Sequence, residues 1–175
     1  MIHHLIWKQL YRVNVRSVYL EKLLKRNEAT DRYINMFLAI ASSSSIAGWA
    51  LWNKYVYVWT GIIALSQVIN AILPYLPYKE RIKSLSGLAR DLRQLGITIE
   101  QTWLDIAAGD LQESRMRKLY YDYLKKEAEY EEKYFSGKSI PEDRSLFAQA
   151  EEEVKRYLSV HMTNGDQDDG QEETT

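Results

Sequence analysis

Apolar and polar positions alternate along this chain in a helical rhythm that is interrupted once, by a long stretch with almost no charge. From about residue 5 to 28, Leu5, Ile6, Leu10, Val13, Leu20 and Leu24 predict an N-terminal helix with one apolar side. The runs 33–53 and 55–78 then contain no charged residue, and Lys54 alone separates them. Each run exceeds the roughly 20 residues that cross ~30 Å of hydrocarbon as a helix. A link that short predicts an antiparallel hairpin. From 79 to about 108, Ile82, Leu85, Ala89, Leu92, Gly96, Ile99, Trp103 and Ile106 step by three and four, a heptad seam. Leu88 and Leu95 widen it toward bundle packing, and Gly96 marks a close helix approach.

Glycine and capping residues divide the C-terminal third of the chain. Gly109 supplies a left-handed cap, and Asp110 with Glu113 predicts the start of the next helix. That helix runs to about Phe135, carrying Leu111, Leu119, Tyr120, Tyr123, Leu124, Tyr130 and Tyr134. Ser136-Gly137 ends it. Ser139 with Glu142 opens a last helix to about residue 161, with Leu146, Phe147, Ala150, Val154, Tyr157 and Leu158 on its inner side. Residues 162–175 are acidic and polar without an apolar anchor, which predicts disorder. The fold class expected is all-α: a two-helix transmembrane hairpin (33–78), an N-terminal amphipathic helix (1–32) and a cytosolic helical domain (79–161).

Charge and aromatic placement orient the hairpin. Residues 1–32 hold seven Lys/Arg against three acids, and Lys79, Arg81 and Lys83 follow the second run, so the positive-inside rule puts both termini in the cytosol. Trp49, Trp52, Tyr55, Tyr57 and Trp59 gather near the outer turn, with Tyr33, Tyr75 and Tyr78 at the inner boundary, as interfacial aromatics do. The mean hydropathy of −0.41 averages this apolar core with charged helices. The N-terminus lacks an apolar run ending in small residues, so the later runs are expected to drive insertion. Lys8, Arg12 and Arg16 form a basic ridge expected to meet anionic lipid headgroups.

Polar residues inside the runs carry the functional content. Asn35, Ser42 and Ser45 share one helix face, as do Thr60, Gln67 and Asn70. In lipid such groups seek partners or water. Interhelix hydrogen bonding and a water-filled path between subunits both satisfy them, and a path needs several copies because two helices enclose no pore. Ala39, Ser43 and Ala47 form a small-residue row that permits close helix association. Pro74 and Pro77 end the second run, as an interface exit or a kinked gate.

Candidate chemistry elsewhere is thin. The chain has no cysteine, which excludes disulfides and thiolate catalysis. No metal-ligand spacing, phosphate loop or nucleophile–His–acid pattern occurs, so neither catalysis, metal nor cofactor is expected. The formal charge of −1 argues against a whole-chain nucleic-acid field. Runs such as 127–132 and 151–153 read as solvated acidic faces. One basic patch, Arg115, Arg117, Lys118, Lys125 and Lys126 interleaved with Tyr120, Tyr121 and Tyr123, has the composition that binds phosphates and stacked bases, or else is a solvated face with tyrosines in the core.

The order of basic N-terminal helix, tight two-span hairpin and long helical extension, over about residues 5–160, resembles the SLATT family of two-transmembrane effectors associated with bacterial nucleotide-signalling systems. The resemblance rests on this architecture and supplies no motif from which site residues carry over. It implies an oligomeric pore, held closed or opened by a nucleotide or oligonucleotide signal from a partner nucleotidyltransferase in antiviral defence; the reading adopted is a homo-oligomer, a tetramer, in the bacterial inner (plasma) membrane. The alternative is a membrane-anchored helical scaffold that docks a cytosolic partner without conductance.

Overall fold

A computed structural model describes residues 2–51, 56–75, 78–137 and 139–163, with side chains for all of these except 42–51, 56, 59, 74, 78, 79 and 161–163. Among the described residues the chain is all-helical: α1 (Ile2–Leu51), α2 (Val56–Ile72), a 3-10 turn (Leu73–Tyr75), α3 (Tyr78–Ala107), α4 (Glu113–Phe135) and α5 (Arg144–Thr163). The packing divides into two units, Met1–Leu23 with Ser84–Thr175, and Leu24–Lys83.

The expected separate N-terminal helix and first span are one unbroken helix of 50 residues. The physical reason lies between residues 24 and 32, which contain no Gly or Pro and are rich in helix formers. Polar side chains there also fold back on the helix: Thr30 Oγ1 donates to the Arg26 carbonyl at 3.0 Å.

The first unit is a four-helix bundle of the N-terminal part of α1 with α3, α4 and α5. Trp7 packs on Trp103 with ring centroids 5.1 Å apart, and Ser17 Oγ donates to the Ala89 carbonyl at 3.3 Å, so α1 and α3 run antiparallel. Thr102 faces Tyr123 while Asp91 accepts from Tyr134, so α3 and α4 also run antiparallel. Helix α5 turns back from Tyr19, against which Phe147 packs, to Glu100, which accepts from Tyr157. Ile6, Leu10, Val13, Leu20 and Leu23 of α1 and Leu85, Leu88, Leu92 and Ile99 of α3 are the largest fully buried side chains among the described residues. Each stabilises the bundle by roughly 1.5–3 kcal/mol. The heptad seam on α3 is buried from Leu85 to Ile99 and at Ile106, Leu88 and Leu95 included, while Ile82 and Trp103 are half-buried.

Helix ends differ from the expected caps. Gly109 and Gly137 do adopt positive φ (80° and 67°) and end their helices. Asp110 does not cap α4; the helix begins after Gln112, which makes no side-chain cap bond. Ser139 and Glu142 do not open α5. Asp143 does: its Oδ1 accepts from the Ser145 and Leu146 amides, both at 3.0 Å. Phe147 and Tyr157, expected inside, are half exposed because α5 packs on a narrower side built from Ala150, Val154 and Leu158.

In the second unit, Ala41 of α1 and Ser66 of α2 are buried. Tyr33, Met36 and Ile40 of α1 and Val58, Leu65, Val68 and Ile72 of α2 are exposed. Among the described residues no helix is long and apolar enough to cross a membrane. Helix α2 has 17 residues, about 26 Å at 1.5 Å per residue. The expected spans 33–53 and 55–78 include 52–55 and 76–77, which lie outside the described residues, as does the acidic segment 164–175.

Candidate functional site

The basic ridge of α1 has protein partners. Lys8 and Arg12 are exposed and Arg16 is half-buried, and both arginines reach α4, where Glu127 is buried. Glu127 Oε2 accepts from Gln9 Nε2 at 2.7 Å and Arg12 Nη2 at 2.8 Å, and Oε1 accepts from Arg16 Nη1 at 2.8 Å. Arg16 also pairs with Glu131. This corrects the expectation of a solvated Glu127 and gives Arg12 and Arg16 an ion-pair partner that their spacing did not show. Burial pushes the Glu127 carboxyl up, but the Gln9 hydrogen bond and the Arg12 and Arg16 guanidiniums outweigh it and hold it below the usual range. Burial likewise lowers Arg16, and its bonds and charges from Glu127 and Glu131 reverse the shift upward.

The basic patch of α4 is an open helix face. Arg115, Arg117, Lys118, Tyr121, Lys125 and Lys126 are all exposed, while Tyr120 is half-buried and Tyr123 is buried. At 100° per residue, Lys118, Tyr121 and Lys125 stand one above another. Arg117 lies 3.9 Å from Glu113, and Lys125 lies 3.9 Å from Glu129. Arg115 and Lys126 are about three turns apart on a different side of the helix, with Asp122 between them. The arrangement offers cations and one exposed aromatic ring to a flexible anion, without an enclosing wall.

Helix α2 has two chemically different sides. Its inner side holds buried Ser66, whose Oγ donates to the Ile63 carbonyl at 2.8 Å, with Ile62, Ile69 and Leu73 half-buried nearby. Thr60, Gln67 and Asn70 are exposed, on the side that also carries Ala64 and Ala71. Val58, Leu65 and Ile72, spaced by seven, form an exposed apolar edge on the far side of α2 from Thr60 and Gln67. Thr60, Gln67 and Asn70 are thus all exposed, as is most of α2, with Asn70 one turn from the buried Ser66. Asn35 is exposed on α1, but its Nδ2 donates to the Asp31 carbonyl at 2.9 Å and to Asp31 Oδ2 at 3.1 Å, so its amide is engaged locally. The side chains of Ser42 and Ser45 lie outside the described residues.

No family model, curated protein or solved structure matches the chain.

One cleft in the bundle has no counterpart in the sequence pattern. About 530 Å³ lies beside the α4–α5 connection, lined among others by Tyr19, Leu20, Pro141, Arg144, Phe147 and Glu151. The Tyr19 hydroxyl donates to the Pro141 carbonyl and accepts from the Asp143 amide at 3.0 Å, which fixes its wall. Its residues come from α1 and, more than 100 positions later, from the α4–α5 connection and the first turns of α5, so no local spacing announces them. Among the described residues no group of three His, Asp or Glu side chains is placed to hold a metal ion.

Proposed function

We propose that this chain is a homo-oligomeric pore-forming membrane protein of the bacterial inner membrane, its hairpin spanning the bilayer and Thr60, Gln67 and Asn70 lining the path. One observation carries the reading. Gln67 and Asn70 are exposed on α2 within a segment free of charge, although Asn70 stands only one turn from the buried Ser66. An amide facing hydrocarbon loses its hydrogen bonds at a cost of several kcal/mol. A ring of neighbouring copies around water removes that cost, and Val58, Leu65 and Ile72 are left for lipid or for the adjacent subunit. Asn35, Ser42 and Ser45 extend the lining from α1.

A nucleotide-type anion at Arg115, Arg117, Lys118, Tyr121, Lys125 and Lys126 is the gating signal in this reading, with antiviral defence as the setting that the SLATT resemblance implies. Such a ligand changes the open fraction only by binding one state more tightly than the other. The test is ion flux from liposomes holding the purified chain, screened against nucleotide ligands. Gln67→Leu with Asn70→Leu lowers the flux while oligomer size is kept. Unchanged flux removes both residues from the lining. A membrane-anchored scaffold is the second reading; exposed Ile97, Leu104 and Val160 on α3 and α5 favour it, as apolar side chains available to a partner. It gives membrane retention with no flux under any ligand.

A further inference from the structure

On α1, Glu28, Arg32 and Met36 recur every fourth residue, and Asp31 and Asn35 repeat that interval beside them. Residues four apart lie on one helix face. Together with Ile82 of α3, these five side chains line a cleft of about 700 Å³, within the size range of small-ligand sites, ~300–1,000 Å³. Asn35 anchors one wall by donating to Asp31 Oδ2 at 3.1 Å, which leaves the second carboxylate oxygen of Asp31 for another donor.

The chemistry is ordered along the helix. Carboxylates come first at Glu28 and Asp31, then the guanidinium of Arg32, then the apolar side chain of Met36, with Ile82 opposite. Glu28 and Arg32 are about 6 Å apart along the axis at 1.5 Å per residue. The uncharged run begins at Tyr33, whose ring is exposed. We propose that this cleft binds the headgroup of an ethanolamine phospholipid; the assignment rests on the membrane reading above. The phosphate takes the Arg32 guanidinium, the primary ammonium takes Glu28 and Asp31, and the glycerol and acyl end lies on Met36 and Ile82. Charge complementarity selects this occupant. Arg32 is matched by two carboxylates, so a purely anionic headgroup meets repulsion from both. A choline headgroup has the same charges but no N–H to donate, and a carboxylate accepts its strongest bonds from charged N–H donors.

The experiment uses the full chain in bilayers of equal parts phosphatidylethanolamine, phosphatidylcholine and phosphatidylglycerol. After gentle detergent extraction, the retained lipid is quantified by mass spectrometry. Phosphatidylethanolamine is expected to be enriched at least about tenfold over each of the others, the discrimination of one charge-assisted hydrogen bond. Glu28→Gln with Asp31→Asn equalises ethanolamine and choline lipids, and Arg32→Gln releases all three. Both changes conserve shape at positions outside the bundle core, and circular dichroism verifies the helix content. Retention of the three lipids in equal amounts by an inserted protein overturns the headgroup assignment alone. Failure of the chain to resist alkaline extraction from the bilayer overturns the membrane reading and this assignment with it.

Discussion

Glu127 is the residue on which most of the polar packing in the bundle converges. It accepts from Gln9, Arg12 and Arg16, three residues of one helix. Breaking a fully buried pair costs about 3–5 kcal/mol. Half of the Arg12 side chain and a third of Arg16 remain in solvent, so solvent screening brings the expected cost of Glu127→Gln to about 1–3 kcal/mol. The sign of its pH dependence comes from the lowered carboxyl. The stabilisation is fully present above the unfolded carboxylate value of about 4.3 and disappears as pH falls through the lower native value. Urea unfolding of wild type and Glu127→Gln at a series of pH values should show their difference shrinking toward acid; a constant difference would remove the carboxylate charge from the account. Gly87 gives a second residue-level expectation. A Cβ there would run into the Tyr134 ring, 2.7 Å from Cζ, and that ring is pinned by its hydroxyl bond to Asp91 at 2.9 Å. Gly87→Ala gains about 1 kcal/mol in helix propensity, yet overpacking typically costs ~1–3 kcal/mol, so a net fall in thermal stability is expected. Tyr134→Phe in the same background frees the ring and should recover part of it.

Among the elements, the helices of the bundle were legible because each carries its own periodic signal. The α3 seam from Leu85 to Ile106 and the Gly109 and Gly137 stops needed only spacing and glycine. What spacing could not supply was competition between neighbouring capping candidates. Ser139, Glu142 and Asp143 all have capping chemistry; Asp143 wins because the Tyr19 hydroxyl accepts from its amide, a contact 124 positions distant in sequence. Asp143→Ala should therefore cost about 1 kcal/mol, the usual loss for an N-cap. Hydrogen exchange should quicken in the first turn of α5 and leave α4 unchanged. For the same reason Arg12 and Arg16 looked like a lipid-facing ridge, since their partners are more than 100 residues away. The α2 stripe was readable from one helix alone, because it needs only spacing. The continuity of α1 was not readable, because a change from amphipathic to uncharged sequence at Tyr33 looks like a boundary while the backbone has nothing there to break it.

At the scale of the whole molecule, the mean hydropathy of −0.41 joins two units that obey different rules. The bundle hides most of its leucines: Leu158 is 4% exposed, with Ile97, Leu104 and Val160 as exceptions among its apolar residues. The second unit displays them: Leu65 is 53% exposed, close to the middle of α2. If the second unit is what holds the chain in lipid, damage to one unit leaves the other's property untouched. Arginine near the centre of a membrane helix costs about 2.5–3.5 kcal/mol, enough to lower the membrane-bound equilibrium about a hundredfold. Leu65→Arg is therefore expected to move the chain out of the alkali-resistant membrane fraction while the thermal unfolding of the bundle stays where it was. Leu158→Ala should do the reverse, costing the bundle about 2–5 kcal/mol and leaving membrane retention intact. A chain anchored instead by the bundle surface would be lost from the membrane fraction with Leu158→Ala and kept with Leu65→Arg. Quantitative immunoblotting of the two fractions, alongside unfolding curves in detergent, separates these outcomes. An added Gln67→Arg sharpens the test: an arginine facing a water-filled path is tolerated where one facing hydrocarbon is not, so retention at 67 with loss at 65 assigns water to one side of α2 and lipid to the other.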